Sequence, residues 1–322
     1  MIPAPREARA RPGHLPAVIA ATGPEAEERF REFFSVPIRN LHTRRAYGRA
    51  VADFCAAVED WGVHHLAALR PVHVAAHIEA LGRGHAPATG KQRLAAIRAF
   101  LDWMVLGQVI PINPAASVRG PRHLVRRGST PVLPRDDARH LLEGIRADTV
   151  VGLRDRALIG LMIYSFARVG AAVAMRVADF RPQGRRWSVR LHEKGSVQHE
   201  VPAHHTLEAW VLDYIDAAGI GEDRTGWLFR SAEGRTGRLT ERPLLARNAL
   251  HMLRRRASEA GIAVPGLCNH SLRATGITTY MAAGGSLETA QAIAGHASPR
   301  TTQLYDRSGD RVTLDEIERI IL

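Results

Sequence analysis

The residues able to do chemistry concentrate in the last third of the chain. Asn269-His270-Ser271-Leu272-Arg273 is followed by Ala294-Gly295-His296, and then by Ser298-Pro299-Arg300-Thr301-Thr302-Gln303-Leu304-Tyr305. His270 and Arg273 stand three apart at an expected helix start, so they share a face. A helix N-terminus there adds positive potential suited to a phosphate. Upstream, Arg168 closes the apolar run Leu158 to Ala167, and Lys194 stands in an expected hairpin turn. Two arginines, two histidines, a lysine and a tyrosine fit one reaction, the attack of a phenol on a phosphodiester. A phenol of ordinary pKa, about 10, needs a base or a cationic surround before it becomes a useful nucleophile. Planar guanidinium groups neutralise the phosphoryl oxygens bidentately. A lysine of lowered pKa can protonate the leaving 5′ oxygen. No step of that reaction calls for a metal or another cofactor.

Other chemistries find less support. His73 and His77 stand four apart on an expected helix, a spacing that can hold zinc. They lack the intervening Glu of HExxH, a nearby Cys pair and a third ligand, and read as solvent-facing histidines in a chain with 16 of them. His64-His65 and His204-His205 are weaker still. Neither GxxxxGK[ST] nor GxGxxG occurs, so nucleoside triphosphate chemistry has no motif. Tyr47, Tyr164, Tyr214 and Tyr280 lack flanking catalytic boxes and read as surface aromatics.

The elements that must position these groups fall into two parts. In the first, Thr43 to Val58 places Ala46, Tyr47, Ala50, Val51, Phe54 and Cys55 at helical spacing beside Arg44 and Arg45. Pro71 to Leu81 makes a second helix. Thr89 to Leu106 makes a third, with Leu94, Ile97, Phe100, Leu101 and Met104 on one face and Lys91 and Arg93 largely elsewhere. No strand pattern interrupts this all-helical part. In the second part, Pro134-Arg135-Asp136-Asp137 opens a helix. Trp187 to Leu191 and Val197 to Val201 alternate as the arms of a hairpin around Glu193-Lys194-Gly195-Ser196. The rest reads as helix: Leu207 to Ile215, Leu244 to Ala260, Ser271 to Ala283, then turns opened by Ser286 and Ser298.

These patterns divide the chain into a flexible N-terminal tail over 1–23, a helical domain over 24–118, a basic linker over 119–133, a catalytic domain over 134–310 and a terminal helix over 311–322. The linker is read from Pro121, Pro131 and Gly128 breaking the basic stretch Arg119, Arg122, Arg126 and Arg127. The terminal helix carries Leu314, Ile317, Ile320 and Ile321 along one stripe. It is too short to stand alone in water and must dock on its own domain or on a neighbouring protomer.

The 322 residues carry 44 Lys and Arg against 32 Asp and Glu, a net charge of +12 that favours a polyanionic partner, nucleic acid before membrane. Residues 1–128 hold 18 basic and 10 acidic groups, against 26 and 22 in 129–322, so the first part is the better electrostatic grip on phosphates. Arg44, Arg45, Lys91 and Arg93 are its candidate DNA contacts. Lys91 and Lys194 are the only lysines; coding bias explains most of that, but a lysine kept in such a chain suits a site needing an amine that can lose its proton. Two cysteines make no disulfide framework, and the chain reads as cytosolic. Its longest apolar run is too short to span a membrane, and its N-terminus does not read as a secretory signal.

The boxes also carry a resemblance. Phe166-Ala-Arg168-Val169, Lys194 on its hairpin, His270-Ser-Leu-Arg273, Gly295-His296 and Thr301-Thr-Gln-Leu-Tyr305 occur in the order found in tyrosine-type site-specific recombinases of the phage integrase family, which the chain resembles over nearly its whole length. Thr43 through Phe54 and Thr89 through Asn113-Pro114 resemble that family's helical core-binding domain. The resemblance implies a mainly α fold with a small β-hairpin or sheet. An all-helical core-binding domain and an α+β catalytic domain would clamp DNA between them. It implies a recombinase or integrase of a mobile genetic element, bacterial, cytoplasmic and nucleoid-associated. Such an enzyme cuts and rejoins double-stranded DNA through a 3′-phosphotyrosyl intermediate at Tyr305. Arg168 and Arg273 would hold the phosphate, Lys194 would protonate the leaving oxygen, His270 would act as acid and base, and His296 would hydrogen-bond the phosphate. Four protomers would assemble on two sites and exchange their terminal helices. One position departs: Ala171 stands where the family usually has an acid. A DNA-relaxing enzyme of topoisomerase type and a catalytically silent DNA-binding protein are the alternatives.

Overall fold

The computed structural model describes residues 15–122, 128–192, 198–234, 236–296 and 298–305. The chain divides into two compact units, 1–124 and 125–322. It is mainly helical with two small antiparallel sheets. None of the helices in the described residues is long and apolar enough to cross a membrane.

The first unit is built from α1 (Ala17–Ala20), α2 (Pro24–Ser35), α3 (Leu41–Asp60), α4 (Pro71–Gly82) and α5 (Pro87–Leu106). Proline opens α2, α4 and α5, where its missing N–H costs nothing. Asn40 caps α3 by accepting from the N–H groups of His42 and Thr43. The apolar faces of α3 and α5 meet, burying Val51, Phe54, Val58, Ile97, Phe100 and Leu101 with Phe33 of α2.

Three expectations for this unit need correction. The flexible tail over 1–23 does not hold for its described part. Val18 and Ile19 of α1 are completely buried, and the Val18 N–H donates to Glu59 at 2.8 Å. A four-residue helix has no stability of its own. Burial of two such side chains, about 1.5–3 kcal/mol each, holds it in place. His77 is not solvent-facing but buried edge-on against Phe54, while the His73 ring accepts from the Arg70 N–H. Nor are all four basic candidates laid out for an outside partner. Arg93 pairs with Asp53 of α3, and Arg44 donates to the Ile38 carbonyl. Arg45 and Lys91 are exposed.

The second unit runs through α6 (Arg135–Glu143), α7 (Val150–Tyr164), α8 (Val169–Val173), β1 (Phe180–Gln183), β2 (Arg186–His192), β3 (Gln198–Pro202), α9 (His205–Ala218), β4 (Arg230–Ala232), β5 (Leu239–Pro243), α10 (Ala246–Glu259), α11 (Asn269–Ala282), α12 (Leu287–Ala294) and α13 (Pro299–Gln303). The expected hairpin is β2–β3, with Val189 opposite Val201, and β1 adds to its other edge. The pair β4–β5 lies between the expected helices Leu207 to Ile215 and Leu244 to Ala260, in a stretch given no element from the sequence. These strands are short and carry Arg, Glu and Pro, so no alternation announces them. Tyr214, expected on the surface, is fully buried and donates to the Leu228 carbonyl at 2.8 Å.

Helix α7 is the axis of this unit, packed against α9 and α11. Its buried face includes Asp155, a carboxylate with no exposure that accepts from Arg154, Arg255 and Arg256 and so ties α7 to α10. Near the C-terminal end of α7, α11 approaches so closely that a Cβ on Gly276 would run into the Ile163 carbonyl and the Phe166 ring. The linker expected over 119–133 is also corrected at its far end. Leu133 is buried in the catalytic core, and Val132 packs beside Phe166 and Tyr305.

Candidate active site

Four elements of the second unit converge on one spot. The end of α7 supplies Phe166 and then Arg168, which sits at the N-terminal boundary of α8. Phe166 adopts φ 52°, a left-handed conformation that costs a bulky residue about 1–3 kcal/mol. Two contacts hold it there. Its ring is buried with Tyr280, Ala274, Ile277 and Tyr305, and its carbonyl accepts from the Arg273 guanidinium.

Helix α11 supplies His270 in its first turn and Arg273 one turn on. Ser271 fixes that start by accepting from the Cys268 N–H at 3.2 Å. Arg273 is 1 % exposed, and its second Nη donates to the Ala294 carbonyl at 2.6 Å. One guanidinium therefore bridges the end of α7 and the end of α12. Helix α12 ends at Gly295, whose φ of 57° only glycine adopts without strain, and the chain then turns His296 inward. The His296 Nδ1 lies 2.8 Å from the hydroxyl of buried Thr302 on α13. Tyr305 follows α13 and is 7 % exposed.

The pieces meet at the phenol. The Tyr305 hydroxyl is hydrogen-bonded to His270 Nε2, and the His296 ring lies parallel to the Tyr305 ring. Burial pushes the Tyr305 pKa up, while the charges of Arg273 and Arg168 oppose that rise, so the resting phenol keeps its proton. Desolvation of the ring, then the Arg273 and Arg168 charges, hold His270 below the usual imidazole value. The same causes in the same order bring His296 down to about 4. Two neutral imidazoles thus flank a protonated phenol in a cationic pocket. One imidazole can accept the phenolic proton, and the two arginines can neutralise an anion placed against it.

Of the six catalytic positions read from the sequence, Arg168, His270, Arg273, His296 and Tyr305 come together here. Lys194 lies outside the described residues, in the connection between β2 and β3. Arg126, Arg127 and the terminal helix over 311–322 lie outside them too. Beside that connection, His199 of β3 donates to the Ile293 carbonyl at 2.8 Å and joins the hairpin to α12. Ala171 is buried in the catalytic core, and an unpaired carboxylate there would be costly. Thr302 and Phe166 stand inside the motifs with side chains that announce no task; only the fold shows what they touch.

Comparison with known proteins places this arrangement. Residues 131–311 match the model of the phage integrase family, and residues 30–107 match the phage integrase N-terminal SAM-like domain. The chain is 31 % identical over 231 residues to the tyrosine recombinase XerC of Chlamydia trachomatis serovar L2, covering 71 % of this chain and 69 % of that one. It is 28 % identical over 289 residues to the XerC of Myxococcus xanthus, covering 87 % and 90 %. Among solved structures it resembles the XerH site-specific recombinase bound to palindromic difH substrate, with TM-score 0.69 and 17 % identity over 92 % of this chain and 84 % of that one. A lambda integrase dimer bound to a COC′ core site gives 0.65 at 17 % identity, over 89 % and 77 %. The chain belongs to the phage integrase family. Its activity is that of a tyrosine recombinase, an enzyme of site-specific recombination.

Proposed function

We propose that this enzyme cuts and rejoins double-stranded DNA through a covalent bond to Tyr305. The observation that carries the reading is the Tyr305 hydroxyl, held by His270 in the pocket that Arg168 and Arg273 make cationic. Tyr305 Oη attacks the scissile phosphorus as His270 takes the phenolic proton. The bond from phosphorus to the 5′ oxygen breaks, and that oxygen leaves with a proton from Lys194. The product is a 3′-phosphotyrosyl strand and a free 5′-hydroxyl. A 5′-hydroxyl from another strand reverses the steps and completes the exchange. Arg168 and Arg273 hold the phosphate, and His296 hydrogen-bonds it through Nε2, the nitrogen not facing Thr302.

Around this centre, the first unit contacts the duplex with Arg45 and Lys91 among its exposed cations. Arg44 and Arg93 serve chiefly to brace their own unit. Residues 24–118 act as the core-binding domain and 134–310 as the catalytic domain. Four protomers assemble on two sites, linked by exchange of residues 311–322, and work on the DNA of a mobile element in the bacterial cytoplasm. The XerH and lambda integrase complexes named above, both bound to DNA, support the choice of partner. The test is covalent capture on a nicked suicide substrate. Wild type should form a protein–DNA adduct and Tyr305→Phe none; an adduct persisting in that variant would overturn the assignment.

A further inference from the structure

The turn that carries Tyr305 is held from outside its own helix. Helix α13 has five residues and cannot hold a conformation alone. Three backbone groups in the two peptide units on either side of Tyr305 are secured, one within α13, one by α11 and one by the segment before α6. The Tyr305 N–H returns to the Thr302 carbonyl of α13 at 2.9 Å. The Tyr305 carbonyl accepts from the Thr278 hydroxyl of α11 at 3.1 Å. The Leu304 carbonyl, in the same peptide unit as the Tyr305 N–H, accepts from the backbone N–H of Gly128 at 2.9 Å.

Gly128 belongs to the segment leading into α6, nearly two hundred residues away in sequence. That segment is itself anchored. Val132 packs into the Phe166 and Tyr305 cluster, and the Leu133 N–H donates to Thr275 of α11 at 2.9 Å. The approach at Gly128 leaves no room for a side chain: a Cβ there would stand 2.7 Å from the Leu304 oxygen. The obstructing atom is backbone, so no rotamer change relieves it. Only a shift of the Leu304–Tyr305 turn or of the entering segment could.

We infer that Gly128 is a positioning residue for Tyr305, setting the reach of the phenol through the Leu304 carbonyl. The inference rests on the nucleophilic role proposed for Tyr305. Nucleophile and phosphorus must meet within a few tenths of an ångström, and a misplacement of about 1 Å costs roughly a hundredfold in rate. The groups assigned to the phosphate stand on other elements, Arg168 before α8 and Arg273 on α11. Because Val132 and Leu133 anchor the entering segment, a side chain at 128 is relieved by moving the Leu304–Tyr305 turn, which displaces the attacking oxygen and leaves the phosphate pocket in place.

The experiment uses the full chain on a nicked suicide substrate, comparing wild type, Gly128→Ala and Ser129→Ala, an exposed neighbour in the same segment. Gly128→Ala should form adduct about 10- to 100-fold more slowly with DNA affinity unchanged, while Ser129→Ala matches wild type. A second measurement separates positioning from general damage. In a Tyr305→Phe background, hydrogen peroxide serves as a small nucleophile that attacks the phosphorus and expels the 5′ oxygen. Adding Gly128→Ala should leave that cleavage unchanged. Adduct formation at the wild-type rate in Gly128→Ala, or an equal loss of peroxide cleavage, would overturn the inference. Absence of any adduct in wild type would instead overturn the nucleophile assignment, and the inference with it.

Discussion

The ring of His296 lies parallel to that of Tyr305, 8° from coplanar and 6.0 Å between centroids, and Thr302 holds it there by Nδ1. Thr302 has no exposure and is three residues from the phenol, so it fixes His296 and Tyr305 with the same short helix.

Thr302→Val keeps the shape of that side chain and removes its hydroxyl. The His296 ring then loses the partner that fixes its orientation and tautomer. Adduct formation should fall about tenfold or more, as losing the hydrogen bond that orients a functional histidine commonly does. Thr302→Ser should restore most of the rate. Equal rates for the Val and Ser variants would show that the hydroxyl does not matter.

The pH dependence of cleavage follows from His270. In the proposed reaction it accepts the phenolic proton only while neutral, and its pKa is held below the usual imidazole value by desolvation and the two arginines. The acid limb of a single-turnover rate profile should therefore be centred below pH 6.5, the usual imidazole value. In His270→Gln that limb should disappear along with most of the rate. An acid limb centred at 7 or higher in wild type would contradict the assignment.

His77 makes the first unit acid-sensitive. Neither ring nitrogen has a hydrogen-bond partner among the described residues, and burial followed by the Arg93 charge brings its pKa down to about 4. Between about 4 and 6.5 the unfolded chain binds a proton that the folded chain refuses. Stability is thus full above 6.5 and declines as pH falls through that window, by about 3 kcal/mol at most. His77→Leu should be at least as stable as wild type at pH 7.5 and lose less on acidification to pH 5. Thermal melts of the two proteins across that range supply the check; parallel curves would rule His77 out.

Asp155 anchors three arginines in the dark of the second unit. Removing a buried ion's partner usually costs about 3–5 kcal/mol, because charge is left without compensation. Asp155→Ala should therefore lower the denaturation midpoint strongly, and Asp155→Asn somewhat less. Arg255→Ala, at the half-exposed end of the network, should change it by less than about 1 kcal/mol. A similar loss for Asp155→Ala and Arg255→Ala would refute this division.

These predictions mark what the chain's text discloses and what it withholds. The long helices α3, α5 and α11 are legible because their apolar residues repeat at helical spacing, although each begins two residues before its expected start. Arg168, His270, Arg273, His296 and Tyr305 are legible because few reactions use those types together. Asp155 is not: beside Arg154 and Arg156 it looks like one more surface charge, and only the packing of α10 against α7 brings Arg255 and Arg256 to it. Gly128 and Thr302 are not legible for a similar reason. One acts through a backbone contact across most of the chain and the other through an ordinary hydroxyl. The strands β4 and β5 lack alternation because their side chains are only partly covered.

In the proposed reaction, Arg273 takes part with its freedom already spent. Immobilising a long, rotamer-rich side chain at an interface commonly costs about 0.5–1.5 kcal/mol of conformational entropy. Here the carbonyls of Phe166 and Ala294 seat the guanidinium before any substrate arrives. That ordering is charged to folding, so a phosphate docking against this arginine meets a host that is already still. The corresponding signature is calorimetric: the entropy of binding should owe little to this side chain, and its order should be the same with the pocket empty or full.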